Sequence, residues 1–196
     1  MTDTPKTSPR SLRERTRQAM RAEVSTVAAR LFAEQGCDNT TVEQIAAEAG
    51  LSRTTFFRYF GTKQDVVLTW VADLGPGLAA AFAARPATED PWLSLRRAFD
   101  VITAINAAEP EKSLAFYRML DCNPTMLPRH RDKQDGWAEL LVPLVAARLP
   151  EPEPGPQALV TAAMACFNAA MKTWVAGDGT GSRDELLDRA MAAVRG

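Results

Sequence analysis

The chain has 196 residues, of which 46% are hydrophobic and 24% charged, and its formal net charge is −1. That is enough chain to bury a sizeable core, as one larger domain or two unequal ones, and the composition is that of a globular protein. Three widely spaced cysteines (Cys37, Cys122, Cys166), no CxxC pair and a single histidine, His130, argue against a zinc site or a disulfide framework, so no metal or cofactor is expected.

The N-terminus, MTDTPKTSPRSLRERTRQ, is charged and lacks the apolar region of a secretory signal. No apolar run reads as long enough to span a bilayer, so a cytoplasmic location is expected. Residues 1–21 carry six Lys/Arg against two Asp/Glu, whereas residues 67–196 carry thirteen against sixteen. This basic excess, with Arg10, Arg13 and Arg17, suits an anionic partner such as the phosphates of a nucleic acid. Residues 1–9 read equally well as a solvated arm.

From there the chain reads as helix after helix, without the alternation and hairpin signals of strands. A first helix is predicted from about Ser11 to Gln35, with Met20, Val24, Val27, Ala28, Leu31 and Phe32 at helical spacing and Gly36 ending it. A second starts at Thr40 or Thr41, where a threonine with Glu43 or Gln44 makes a capping box. Val42, Ile45, Ala46 and Ala49 form its inner face, Gly50 ends it and Leu51 fills the turn. Ser52 caps a third helix in which Phe56 and Phe60 point inward while Thr54, Thr55, Arg58 and Tyr59 face largely outward. Thr62 caps a fourth helix from Lys63 onward. Two short helices on a tight turn are the arrangement that places one helix in a DNA major groove.

The fourth helix is predicted to kink or split at the GPG of residues 75–77. Further helices are expected at about 91–107, 111–121, 124–149, 157–176 and 182–195, with a kink at Pro143 and a stiff, extended linker or loop over residues 150–156. The 157–176 segment is apolar nearly all round, so it must be covered on two sides, by its own domain and by a second subunit. Leu186, Leu187, Ala190, Met191 and Val194 add a second apolar stripe, and the two last helices together predict a four-helix homodimer interface.

Residues 11–70, with LFAEQG, TTVEQIAAEAGLS and RTTFFRYFGTKQDVV in order, resemble the DNA-binding domain of the TetR family of bacterial transcriptional regulators. The resemblance implies that Arg53–Phe60 is the recognition helix. It implies that Thr41, Tyr59 and Lys63 touch phosphates, and that Arg53, Thr54 and Thr55 reach base edges or nearby backbone. Ser52, Phe57 and Arg58 belong to the same candidate DNA-binding set. Hydroxyls, a phenol and an ammonium suit phosphate oxygens, and an arginine in the groove suits guanine O6 and N7. The chain departs from the family where Thr54 replaces a common glycine, Phe57 a common tyrosine and Cys37 a common aromatic. Phe57 cannot hydrogen-bond a phosphate, and contact with a thymine methyl or a sugar would replace that bond. The segment RMLDCNPTMLPRHRDKQDGWAELLVPLVAARL resembles a subgroup of actinobacterial TetR-like regulators, some linked to acyl-coenzyme A ligands.

The fold expected is all-α, with an N-terminal arm and three-helix helix-turn-helix DNA-binding domain at 1–66 and a helical effector-binding and dimerisation domain at 67–196. Candidate ligand-binding residues are Trp92, Asn106, Tyr117, Trp137, Phe167 and Met171. Asn106 and Tyr117 are the polar ones, and a buried amide or phenol needs a partner. His130, in the charged run PRHRDKQD, is expected to be solvated. The function expected is a ligand-responsive regulator, a repressor that leaves a pseudo-palindromic double-stranded operator when a small, largely apolar or acyl-coenzyme A-like molecule binds. A helical adaptor without DNA binding, and an activator of the same fold, remain as alternatives. An enzyme is not expected, since no Gly-rich phosphate loop, GxSxG or clustered metal ligands are present in the sequence.

Overall fold

The computed structural model of the protein describes residues 12–150 and 152–195. Among these residues every regular element is an α-helix. In order they are α1 (Leu12–Gln35), α2 (Val42–Glu48), α3 (Arg53–Tyr59), α4 (Lys63–Ala83), α5 (Pro91–Ala98), α6 (Asp100–Ala108), α7 (Pro110–Cys122), α8 (Met126–Ala146), α9 (Gly155–Ala176) and α10 (Arg183–Arg195). The chain divides into two compact units, Met1–Trp70 and Val71–Gly196, with the division inside α4.

In the first unit α1 buries Val24, Ala28, Leu31 and Phe32, and α2 buries Ile45 and Ala46. From α3 come Phe56 and Phe60, whose rings lie 5.2 Å apart. The turn between α2 and α3 closes on Gly50, which takes φ +67°, a conformation that glycine adopts without strain. There the Gly50 amide donates to Ala47 O and the Leu51 amide to Ala46 O at 2.7 Å, the paired bonds of a Schellman ending. Thr40 is fully buried and its hydroxyl donates to Gly36 O at 2.8 Å, tying the end of α1 to the start of α2.

In the second unit α9 is the central element, packed against α5, α7, α8 and α10. Phe167 stacks on Phe99 at 4.9 Å and meets Trp137 edge-on at 6.4 Å. Leu78, Phe82, Leu141, Val145 and Leu187 complete the core.

Several sequence expectations are corrected. The GPG segment does not split α4, which runs on through Pro76 to Ala83. A Cβ on Gly75 would sit 2.8 Å from Trp137 Cδ1, so the glycine admits the indole against the helix backbone. Trp137 then donates from Nε1 to Val71 O at 2.8 Å, supplying an outside donor to the turn that proline loosens. The single helix expected at 91–107 is two, α5 and α6, meeting at Phe99, whose ring is fixed by its stack on Phe167. The 150–156 linker is shorter than expected, because α9 already starts at Gly155 and takes Pro156 into its first turn, where a missing N–H costs nothing. Finally, α4 and α9 are each long and apolar enough by length and composition to cross a membrane, contrary to the expectation that no run is. Seven alanines add to the hydropathy of α9 beside its large residues, and nine of its residues are buried among the helices of the second unit.

Candidate nucleic-acid interface and effector cavity

Two side-chain caps build the α2–α3 pair. The Gln44 amide donates to Thr41 Oγ1 at 3.2 Å and the Thr41 amide donates back to Gln44 Oε1 at 2.8 Å. At α3 the Thr55 amide donates to Ser52 Oγ at 3.1 Å, and the Ser52 hydroxyl donates to Thr55 Oγ1 at 2.9 Å. These bonds fix where α3 begins, and Phe56 fixes which face is buried.

The opposite face of α3 carries Arg53, Thr54, Phe57 and Arg58, all exposed. Arg53 Nε lies 3.0 Å from Glu43 Oε1, and its guanidinium sits 5.5 Å from the Phe57 ring. Phe57 itself is 46% exposed, unusual for a phenylalanine and consistent with a contact surface. Arg58 and Arg17 both approach the Tyr59 ring, at 5.0 and 5.9 Å. Arg21 Nη2 donates to Tyr59 O at 3.4 Å. So Arg17 of α1 and the end of α3 form one cationic, aromatic patch. Thr41 is exposed at the start of α2. Arg10 and the side chain of Arg13 lie outside the described residues.

Lys63 sits differently from the point charge that the resemblance implied. Its Nζ donates to Cys37 O at 2.5 Å, Thr40 O at 2.8 Å and Asp38 O at 3.3 Å. The ammonium thus braces the turn between α1 and α2. Sequence reasoning missed this brace, and also Arg21 and Glu43. The i, i+4 spacing of Arg17 and Arg21 on α1 was the available signal.

In the second unit α7, α8 and α9 line a half-open cavity of about 240 Å³, bordered among others by Tyr117, Leu120, Leu127, His130, Gln134, Asn168 and Met171. His130 is buried, which corrects its expected solvation. The charged run lies on α8, and a helix turns only one residue in three or four inward. Its ring lies 5.9 Å from Phe116 and 6.5 Å from Tyr117. Burial, and then the Arg131 charge, push its pKa down to about 4, so the ring is neutral. Gln134 Nε2 donates to Asn168 Oδ1 at 3.1 Å. Burial pushes the Tyr117 phenol up to about 12, so it remains a neutral donor.

Of the candidate ligand-binding residues, Tyr117 and Met171 line this cavity. Trp92, Asn106, Trp137 and Phe167 are buried elsewhere in the second unit. Sequence reasoning missed His130, Gln134 and Asn168 as wall residues. Among the described residues no group of three His, Cys, Asp or Glu could hold a metal ion.

The sequence pattern of the bacterial regulatory proteins of the tetR family matches residues 26–69, and that of the MftR C-terminal domain matches residues 89–196. The HTH-type transcriptional regulator TcmR of Streptomyces glaucescens is 31% identical over 157 residues, covering 75% of this chain and 70% of that one. A transcriptional repressor of Streptomyces coelicolor is 23% identical over 91% of this chain and 94% of its own. Among solved structures, the repressor FadR of Thermus thermophilus, in complex with lauroyl-CoA, aligns with a TM-score of 0.60 at 25% identity, covering 88% of this chain and 91% of that one.

Proposed function

The chain belongs to the TetR family of bacterial transcriptional regulators, and from that premise we propose that it is a repressor whose exposed α3 face reads an operator and whose second unit binds the molecule that releases it. The observation that carries the DNA half is the Ser52-capped α3, which buries Phe56 and leaves Arg53, Thr54, Phe57 and Arg58 facing outward. In this reading Arg53 leaves Glu43 to meet a guanine edge, or keeps the pair through Nε and turns its terminal nitrogens to the base. Arg17, Arg58 and Tyr59 hold phosphates, with Thr41 and the capped helix ends beside them. Lys63 contributes by shaping the turn beneath the interface.

The protein acts as a homodimer through α9 and α10. Thr161, Ala165, Ala169 and Thr173 on α9, and Val194 on α10, are exposed, a face of small residues on which a second copy could close. Two recognition helices about one DNA turn apart then require a pseudo-palindromic site. The effector is a small, largely apolar molecule, and its differential affinity for two dimer geometries shifts the equilibrium away from operator. The FadR–lauroyl-CoA structure favours acyl-coenzyme A as a second reading of the effector. A cytoplasmic location and a role outside enzyme chemistry belong to the same reading, and its relatives' role as regulators supports both.

Footprinting on the DNA flanking the protein's own gene tests this. Two symmetric protected half-sites, about one helical turn between centres, are expected; protection of a single half-site, or none, would count against a dimeric operator reader.

A further inference from the structure

His130 and Gln134 stand four residues apart on α8, so they share one helical face, and they are only 5% and 3% exposed. That face lines the half-open cavity, opposite Tyr117 and Leu120 of α7 and Met171 of α9. Gln134 uses one N–H on Asn168 Oδ1, and its Oε1 accepts nothing from the described residues. Neither nitrogen of the His130 ring has a hydrogen-bond partner among them. The fully enclosed orphan atoms of the second unit lie elsewhere, on Asn106 and Arg183, so the unused atoms of His130 and Gln134 open on the cavity. A neutral imidazole carries one N–H donor and one bare acceptor nitrogen. Two buried polar side chains thus bring unused hydrogen-bonding capacity to one wall, where such groups ordinarily have partners.

Most of the remaining wall is apolar or aromatic: Tyr117, Leu120, Leu127, Met171 and Val175. The His130 ring is held by packing against Phe116 and Tyr117 rather than by a bond. Asp121, Arg131 and Lys172 also border the cavity, and all three are exposed, so charge sits at the mouth and none at the depth. Burial keeps the imidazole neutral, so the inner wall has no cation for an anion to pair with. An aliphatic chain would displace water from His130 and Gln134 and return no bond. A hydroxyl answers both side chains. A phenolic O–H is a stronger donor than an alcohol's, and its ring suits a wall of Tyr117 and Met171, where ring–ring and sulfur–ring contacts are favourable.

We propose that the cavity takes an uncharged hydroxylated aromatic molecule, its hydroxyl donating to the bare His130 nitrogen with Gln134 as second partner, and its ring lying against Tyr117, Leu120 and Met171; this rests on the reading of the second unit as the effector-binding part. The cavity holds about eight water volumes, room for one or two rings.

Equilibrium dialysis of the purified full chain tests this, with para-cresol and naphthol as probes, each paired with its methyl ether, and naphthoate as the anion. At least one phenol should bind about tenfold or more tighter than its ether, the scale of leaving one buried acceptor unpaired. Naphthoate should bind more weakly than naphthol. His130→Phe should erase the preference for hydroxyl over ether while ether binding persists, and Gln134→Met should reduce it. Circular dichroism checks that each variant folds, and Gln134→Met carries the test if His130→Phe does not. Absence of phenol binding, equal binding of phenol and ether, tighter binding of naphthoate, or a preference that survives in the folded variants would overturn the proposal. No DNA enters the measurement, so a failure to bind operator would count against the regulator reading alone.

Discussion

His130 sits in a run of charges, RHRDKQD, and is nevertheless buried and neutral. In the unfolded chain the ring titrates near its ordinary value of 6.5, whereas in the folded chain burial holds it to about 4. As pH falls, the unfolded chain therefore takes up a proton that the folded chain refuses. The stability tied to this group is complete above about pH 6.5 and declines until about pH 4, where the folded chain protonates too. Denaturant titrations across that range should show the wild type losing on the order of 3 kcal/mol more than His130→Gln; parallel curves would mean the ring is solvated after all. Lys63 makes a second case. Because its ammonium bonds three carbonyls of the α1–α2 turn, Lys63→Met should lower stability without DNA, by about 1–3 kcal/mol. Unchanged stability with a shallower salt dependence of DNA binding would instead restore the phosphate role.

At the scale of elements, the helix-turn-helix was legible because its signals are local. Thr41 with Gln44, Gly50, and Ser52 with Thr55 each act over three or four residues, and the structure uses them as the sequence suggests. The joints of the second unit were not legible, because they are settled by partners far along the chain. Phe99 separates α5 from α6 while stacked on Phe167, and α4 survives Pro76 with Trp137 packed on Gly75. This makes Gly75→Ala informative. Helix propensity alone predicts a gain of about 1 kcal/mol. A Cβ 2.8 Å from Trp137 predicts a net loss of about 1–3 kcal/mol instead, since the indole is held by its bond to Val71. A melting temperature that rises would show that Trp137 can move and that the glycine is not needed for its approach.

Across the whole molecule, the same contrast separates the two functional regions. The DNA-facing residues lie within α1 to α3, so a sequence pattern could gather them. The cavity takes His130 and Gln134 from α8, Asn168 and Met171 from α9 and Tyr117 from α7, and only packing brings these together. Nothing in the sequence marks Arg183 as buried, since an arginine after a Gly-Ser turn looks like a solvated helix start. Reading DNA is the property on which the rest of the molecule's role depends. Its most direct test is fluorescence anisotropy of the purified protein on DNA flanking its own gene, against a scrambled competitor, over a salt titration. We expect tight binding that the competitor cannot displace and that weakens steeply with salt, as release of counterions from several phosphates requires. Binding that is weak and blind to sequence at every salt concentration would contradict it.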